Sequence, residues 1–230
     1  MEALGAWFAQ LEFDQLWMLL VTGAGCLVCI SFHEMCHGLA ALALGDPTAK
    51  RAGRISMNPL RHIDVAGLIL MVTVRFGWAK GVPVDMRRFK KPKQGMALTA
   101  LAGPVSNLVL AAVMLMLDAV VNFYYQLYGG DVLYYADVFL QYTVSLSVGL
   151  AVFNLLPVPP LDGSKILFSL LPDQAYLYLM RYERYGTLVL IALLLLKVLD
   201  GPLVAMRTWV LDGLCAFCLW PFDVLVSIYF

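Results

Sequence analysis

Two histidines and a glutamate lie within five residues of one another, in the stretch Ser31–Leu39 (SFHEMCHGL). Side chains four residues apart project from the same face of a helix, one turn apart. This spacing allows both imidazoles to bind one Zn²⁺, and it leaves the glutamate beside the metal as a general base. We therefore predict that His33 and His37 are metal ligands and that Glu34 is the catalytic base.

A catalytic zinc site usually has three protein ligands and one open position for water. His62, the third histidine of the chain, is one candidate for the third ligand. Asp162 is the preferred candidate, because the prolines at 157, 159 and 160 cannot continue the helix that arrives from residue 137. The opened helix end allows an aspartate to turn inward. Capping of the helix that follows is the alternative role of Asp162.

The segments that carry these residues have the length and composition of membrane helices, which need about 20 mostly apolar residues. Four segments are long enough: 15–44, 95–122, 137–160 and 185–204. A fifth, 206–230, is apolar but interrupted by Asp212-Gly213, Pro221 and Asp223, and we interpret it as an irregular span or an interfacial helix.

The mostly apolar run of ten residues 65–74 is too short to cross a bilayer, and the stretch after it is rich in β-branched residues. Short apolar runs of this kind are typical of re-entrant or interfacial segments. The predicted fold class is therefore an all-α polytopic membrane protein with about five or six membrane segments and a short re-entrant β-hairpin-like insert.

Composition supports the same class. Apolar residues make up 61% of the 230 residues and charged residues 14%, whereas soluble domains have about 25% charged residues. The net charge is zero, so we expect the lipid bilayer, and no nucleic acid, as a partner.

Basic residues predict the topology, because 11 of the 16 lysines and arginines lie between Lys50 and Lys93. By the positive-inside rule this connection is cytoplasmic. The N-terminus is then outside the cell membrane. Segments 15–44 and 137–160 both end on the cytoplasmic side, so we expect the active site near that face.

Two Cys-x-x-Cys pairs, Cys26/Cys29 and Cys215/Cys218, have a spacing that also occurs in zinc and redox sites. Both pairs lie in apolar, helix-like segments, where free cysteine behaves as a small buried hydrophobe. We interpret these four cysteines as packing residues.

The motifs together resemble the site-2 protease family of intramembrane zinc metalloproteases. His33-Glu34-x-x-His37 in the first apolar helix matches that family, as does Asn154-x-x-Pro157-x-x-Pro160-Leu161-Asp162-Gly163 in a later one. Gly103-Pro104-x-x-Asn107 matches a further feature. The resemblance covers about residues 15–170, and we see neither a PDZ insertion nor a CBS tail. We expect a single domain, 1–230, with a catalytic core at about 15–170 and C-terminal membrane segments at about 185–230.

The resemblance implies one Zn²⁺ per chain, held by His33, His37 and Asp162, with Glu34 as the base. It implies a transmembrane protein as substrate and regulated intramembrane proteolysis as the function. Asn154 would contact the substrate backbone. The substrate would add as a strand to the edge around 72–84, which makes Val72 and Val74 substrate-binding residues. Asn107 is assigned to helix packing.

Two other classes of protein are compatible with ionisable residues in membrane helices. In a transporter or channel, the histidines and the aspartate would relay protons or metal ions. In a non-catalytic zinc-binding scaffold, the metal would have only a structural role. The position of Glu34 within the motif favours the enzyme over both.

Overall fold

The computed structural model describes residues 13–64, 67 and 79–229. Two turns of 3-10 helix occur, at Pro59–Arg61 and Met86–Arg88. The helices, numbered in chain order, are α1 Phe13–Ala43, α2 Thr48–Arg51, α3 Pro92–Tyr128, α4 Asp131–Asn154, α5 Asp162–Ser169, α6 Asp173–Arg181, α7 Glu183–Leu195 and α8 Asp200–Tyr229. The described residues contain no β-strand.

Four of these helices are long and apolar enough to cross a membrane. They contain the segments Trp17–Ala43, Pro92–Tyr128, Asp131–Asn154 and Asp200–Trp220. The chain is therefore a multi-pass membrane protein, and its described part is all-helical, as predicted. The predicted hairpin-like insert lies mostly outside the described residues, and its described part, 79–84, is irregular.

The predicted span at 185–204 is wrong, because the structure divides this segment between two helices. α7 ends at Leu195, and the amides of Lys197 and Val198 donate to the carbonyls of Leu194 and Leu193. This is a Schellman-type helix end with Lys197 at φ 55°. Glycine usually occupies that position, so the sequence carries no signal for the break.

The segment after the break is more regular than predicted. Helix α8 continues from Asp200 to Tyr229 through Asp212-Gly213 and Pro221. A glycine inside a helix costs only about 1 kcal/mol relative to alanine. The polar and glycine residues of 206–230 therefore do not end this helix.

Helix α3 lies at the centre of the bundle and packs against α1, α4 and α5. A buried apolar cluster joins α3, α4 and α8, and it consists of Ala111, Leu115, Val144, Val148, Val152 and Cys218. Cys29 is also buried, and all five cysteines are free thiols. The predicted packing role of the Cys-x-x-Cys pairs agrees with these positions.

Candidate metal centre

Helices α1 and α5 bring three metal-binding side chains to one point. His33 and His37 project from one face of α1, and Asp162 is the first residue of α5. The Nε2 atoms of the two histidines lie 3.0 Å apart. Asp162 Oδ2 lies 3.2 Å from Nε2 of His33 and 3.1 Å from Nε2 of His37. All three residues are buried.

The size of this triangle fits a zinc ion. A tetrahedral Zn²⁺ with bonds of about 2.0–2.1 Å holds its ligand atoms about 3.3 Å apart. The observed separations of 3.0 to 3.2 Å are close to that value. His33, His37 and Asp162 could therefore hold a zinc ion together without a large movement of their side chains.

The hydrogen bonds behind the histidines also fit a metal. Nδ1 of His37 lies 2.7 Å from the carbonyl oxygen of Thr99, which only accepts, so this nitrogen carries the proton. Nε2 of His37 is then free to present its lone pair to the centre. A metal-binding histidine typically has its second ring nitrogen fixed in this way.

Asn107 provides the corresponding contact to His33. Its Nδ2 lies 3.1 Å from Nδ1 of His33, while its Oδ1 is buried without a hydrogen-bond partner. If His33 binds a metal through Nε2, its Nδ1 carries the proton and needs an acceptor. A 180° rotation of the amide supplies that acceptor and satisfies Oδ1. Asn107 thus contacts a candidate ligand, in addition to the packing role predicted for it.

Positive charge at the point where the three side chains meet, from protons on the imidazoles or from a metal ion, would stabilise the buried Asp162 carboxylate. Burial disfavours the Asp162 carboxylate, but the hydrogen bonds with His33 and His37 outweigh that effect. They hold the pKa of the Asp162 carboxyl well below its usual range. The ammonium of Lys165, which the sequence did not single out, adds positive charge 3.9 Å from Asp162 Oδ1.

Glu34 lies beside this centre, on the next position of α1 after His33. Its Oε2 accepts a hydrogen bond of 2.9 Å from the backbone amide of Val82. Both residues line a cavity of about 750 Å³ that also contains the two histidines and Asp162. The cavity is large enough for several residues of a peptide in contact with the centre.

The remaining predicted residues are placed as follows. Asn154, the last residue of α4, lines the cavity, and its Nδ2 donates to Leu150 O at 2.9 Å. The structure does not bring His62 to the group of His33, His37 and Asp162. His62 is buried elsewhere, and its Nε2 lies 2.8 Å from Ser56 O. Val72 and Val74 lie outside the described residues.

Close packing of α3 against α1 makes the centre compact. A Cβ atom at Gly103 would lie 2.4 Å from Nε2 of His37 and 2.6 Å from Cε1 of His33. Only glycine allows the backbone of α3 to approach both rings at this distance.

Comparison with known proteins agrees with this arrangement. Residues 120–197, which include Asn154 and Asp162, match the model of peptidase family M50. A Bacillus subtilis protein named "Putative zinc metalloprotease YwhC" is 39% identical over 171 residues, which cover 73% of this chain and 76% of that protein.

The chain belongs to peptidase family M50. Two further relatives bear similar names. The "Putative zinc metalloprotease Rip2" of Mycolicibacterium smegmatis is 26% identical over 90% of this chain and 80% of its own length. The "Putative zinc metalloprotease MJ0611" of Methanocaldococcus jannaschii is 29% identical over 65% of this chain and 68% of its own length. No solved structure gives a significant match.

This M50 family member is an intramembrane zinc metalloprotease. Its apolar helices make it a multi-pass membrane protein, and its cofactor is Zn²⁺, for which His33, His37 and Asp162 form a suitable group. Membership in a peptidase family favours the enzyme over the transporter and the scaffold considered from the sequence.

Proposed function

We propose that this peptidase hydrolyses peptide bonds in or near the transmembrane segments of membrane proteins, close to the cytoplasmic face. The chain acts as a single catalytic membrane domain. The single observation that carries this proposal is the buried group of His33, His37 and Asp162, which lies inside a bundle of membrane helices with Glu34 beside it. A substrate must enter the bundle to reach a centre in that position.

Each residue of the centre has a distinct role in the proposed reaction. His33, His37 and Asp162 hold the metal. When bound, zinc supplies Lewis acidity, which polarises a peptide carbonyl and makes water more acidic. Glu34 accepts a proton from the attacking water at a carboxylate oxygen and then delivers it to the nitrogen of the leaving amine. The proton thus passes from water to amine as the peptide bond breaks.

Aromatic side chains support a location near one face of the membrane. Trp17, at the start of α1, contacts Tyr135 with ring centroids 5.3 Å apart, and this contact is typical of an aromatic belt at a membrane interface. His33 is sixteen positions after Trp17, which is about 24 Å along a helix axis. Since the apolar core of a bilayer is about 30 Å thick, the centre lies near the opposite interface.

The basic connection lies on that same side. Lys50 and Arg51 follow the end of α1, and Lys90 and Lys91 precede α3, so they flank the helix ends nearest the centre. By the positive-inside rule this side is cytoplasmic and the N-terminus is outside.

The substrate must be extended at the cut, because a helix hides its carbonyl groups in its own hydrogen bonds. We propose that the substrate pairs as a strand with a hairpin-like insert around 72–84, which gives Val72 and Val74 a role in binding. Gly81, Val82 and Val84 of this stretch line the cavity. Asn154, on the cavity wall, would bind the substrate backbone.

Mapping of new protein termini tests the proposal, because it requires no choice of substrate in advance. Membranes from cells that produce the wild-type chain are compared with membranes from cells that produce Glu34→Gln, which keeps the shape but removes the base. We expect new N-termini inside or beside apolar segments of about 20 residues only with the wild type. Identical sets of termini in the two samples would contradict the proposal.

A further inference from the structure

Arg54 lies outside the metal centre but contacts Lys80 and Gly81, next to Val82, whose amide binds Glu34. Arg54 lies between α2 and the turn Pro59–Arg61, and its guanidinium forms no ion pair with any described residue. Instead it donates to backbone carbonyls: Nη2 to Lys80 O at 2.6 Å and to Gly81 O at 3.0 Å, and Nη1 to Arg61 O. This side chain thus links the 59–61 turn to residues 80 and 81.

The Gly81 carbonyl belongs to the same peptide group as the Val82 amide. Arg54 binds the oxygen of this group at 3.0 Å, and the N–H of the same group donates to Glu34 Oε2 at 2.9 Å. A cation on the carbonyl side polarises an amide and strengthens its N–H as a donor. The positive charge of Arg54 is therefore transmitted to the Glu34 carboxylate through one peptide bond.

The residues on either side of the Gly81–Val82 peptide group are held by other hydrogen bonds. The Asp85 amide donates to Asp46 Oδ2 at 2.7 Å, and the Lys80 amide donates to His62 O at 2.8 Å. Loss of Arg54 would therefore release the Gly81–Val82 peptide while the flanking residues remain held. Arg54 also binds the carbonyls of Lys80 and Arg61, but of these three peptide groups it is the Gly81–Val82 group that binds Glu34.

We propose that Arg54 is a positioning residue for Glu34, and that it fixes the orientation of the Gly81–Val82 peptide group. Its effect on cleavage rests on the proposed function of Glu34, whereas its effect on the peptide group does not. Arg54 contacts none of the three candidate ligands, so zinc binding is independent of it.

Hydrogen exchange of the full-length protein in detergent tests this inference without a substrate. Arg54→Met removes the guanidinium, and Arg51→Met is the matched control, because Arg51 is exposed three residues earlier. We expect exchange of the Val82 amide to become about tenfold faster in Arg54→Met, because its hydrogen bond to the Glu34 carboxylate would be weakened. Glu34→Ala should have the same effect on Val82, and Arg51→Met should have none.

The Asp85 amide separates a positioning role from a general structural role. We expect its exchange and the zinc content to be unchanged in Arg54→Met. Equal acceleration at Val82 and Asp85 would mean that Arg54 only holds the loop together, and unchanged exchange at Val82 would mean that it does not act there. Either result would overturn the inference.

Kinetics on a cleavage site identified by terminus mapping complete the test. Arg54→Met should lower kcat, because it disturbs the peptide group that binds the base, and it should also raise KM, because residues 80 and 81 belong to the proposed substrate-binding stretch. If the wild type shows no cleavage, the proposed function fails, while the exchange result at Val82 still decides whether Arg54 orients the peptide group.

Discussion

Each histidine of the centre is fixed through its second ring nitrogen, and this contact determines which nitrogen faces the metal. Thr99 O fixes His37, and the Asn107 amide fixes His33. The His-Glu-x-x-His spacing predicts two candidate ligands, but it could not identify these partners. Thr99 contributes its backbone carbonyl, and since every residue type has one, the sequence could not identify it. Asn107 is a polar residue in an apolar span, and from the sequence it was assigned to helix packing.

At the residue scale, Asn107→Ala should weaken zinc binding about 10- to 100-fold, the usual effect of removing a partner of a metal ligand. Asn122→Ala is the control, because Asn122 lies in the same helix but donates to Asp137. Competition with a chelator of known zinc affinity measures the effect. Equal affinities of Asn107→Ala and the wild type would contradict the role of Asn107.

At the element scale, the centre depends on how closely helices approach one another. The prolines at 157, 159 and 160 predicted that the helix would open before Asp162, and α4 ends at Asn154 in agreement. The break after α7 was not predictable in the same way, since a lysine occupies the left-handed position. Helix ends marked by proline are visible in the sequence, while ends set by hydrogen bonding alone are not.

Gly103→Ala should disrupt the contact between α3 and α1. The added Cβ would lie 2.4 Å from His37, so we expect a loss of about 1–3 kcal/mol in the free energy of unfolding and a lower zinc content. Gly149→Ala in α4 is the control, because a Cβ there would meet nothing within 4 Å. Thermal unfolding and elemental analysis measure both effects, and matching behaviour of the two variants would refute the close-packing argument.

At the scale of the whole molecule, the distribution of charged and aromatic residues determines how the bundle lies in the membrane. Composition and apolar length were enough to predict a helical membrane protein. They were not enough to predict the number of spans, because the apolar segment 185–204 has the required length but is divided between α7 and α8. The proposed orientation follows from the basic connection and the aromatic contacts together.

Cysteine labelling of intact cells tests this orientation. Val132 and Leu60 are both strongly exposed, at 83% and 77%. Val132 lies in the first turn of α4, and Leu60 lies in the Pro59–Arg61 turn within the basic connection. A membrane-impermeant maleimide should label Val132→Cys from outside, whereas Leu60→Cys should react only after permeabilisation. The wild type provides the background from the native cysteines of α1 and α8. The reversed pattern would place the centre near the outer face.

The zinc content of protein purified without chelator tests the three-ligand centre most directly. It is measured by elemental analysis for the wild type, Asp162→Ala and Glu34→Gln. We predict about one zinc per chain in the wild type, a clear loss in Asp162→Ala, and a content in Glu34→Gln equal to the wild type, since Glu34 is a base and not a ligand. Zinc retained in Asp162→Ala, or absent from the wild type, would contradict the three-ligand centre.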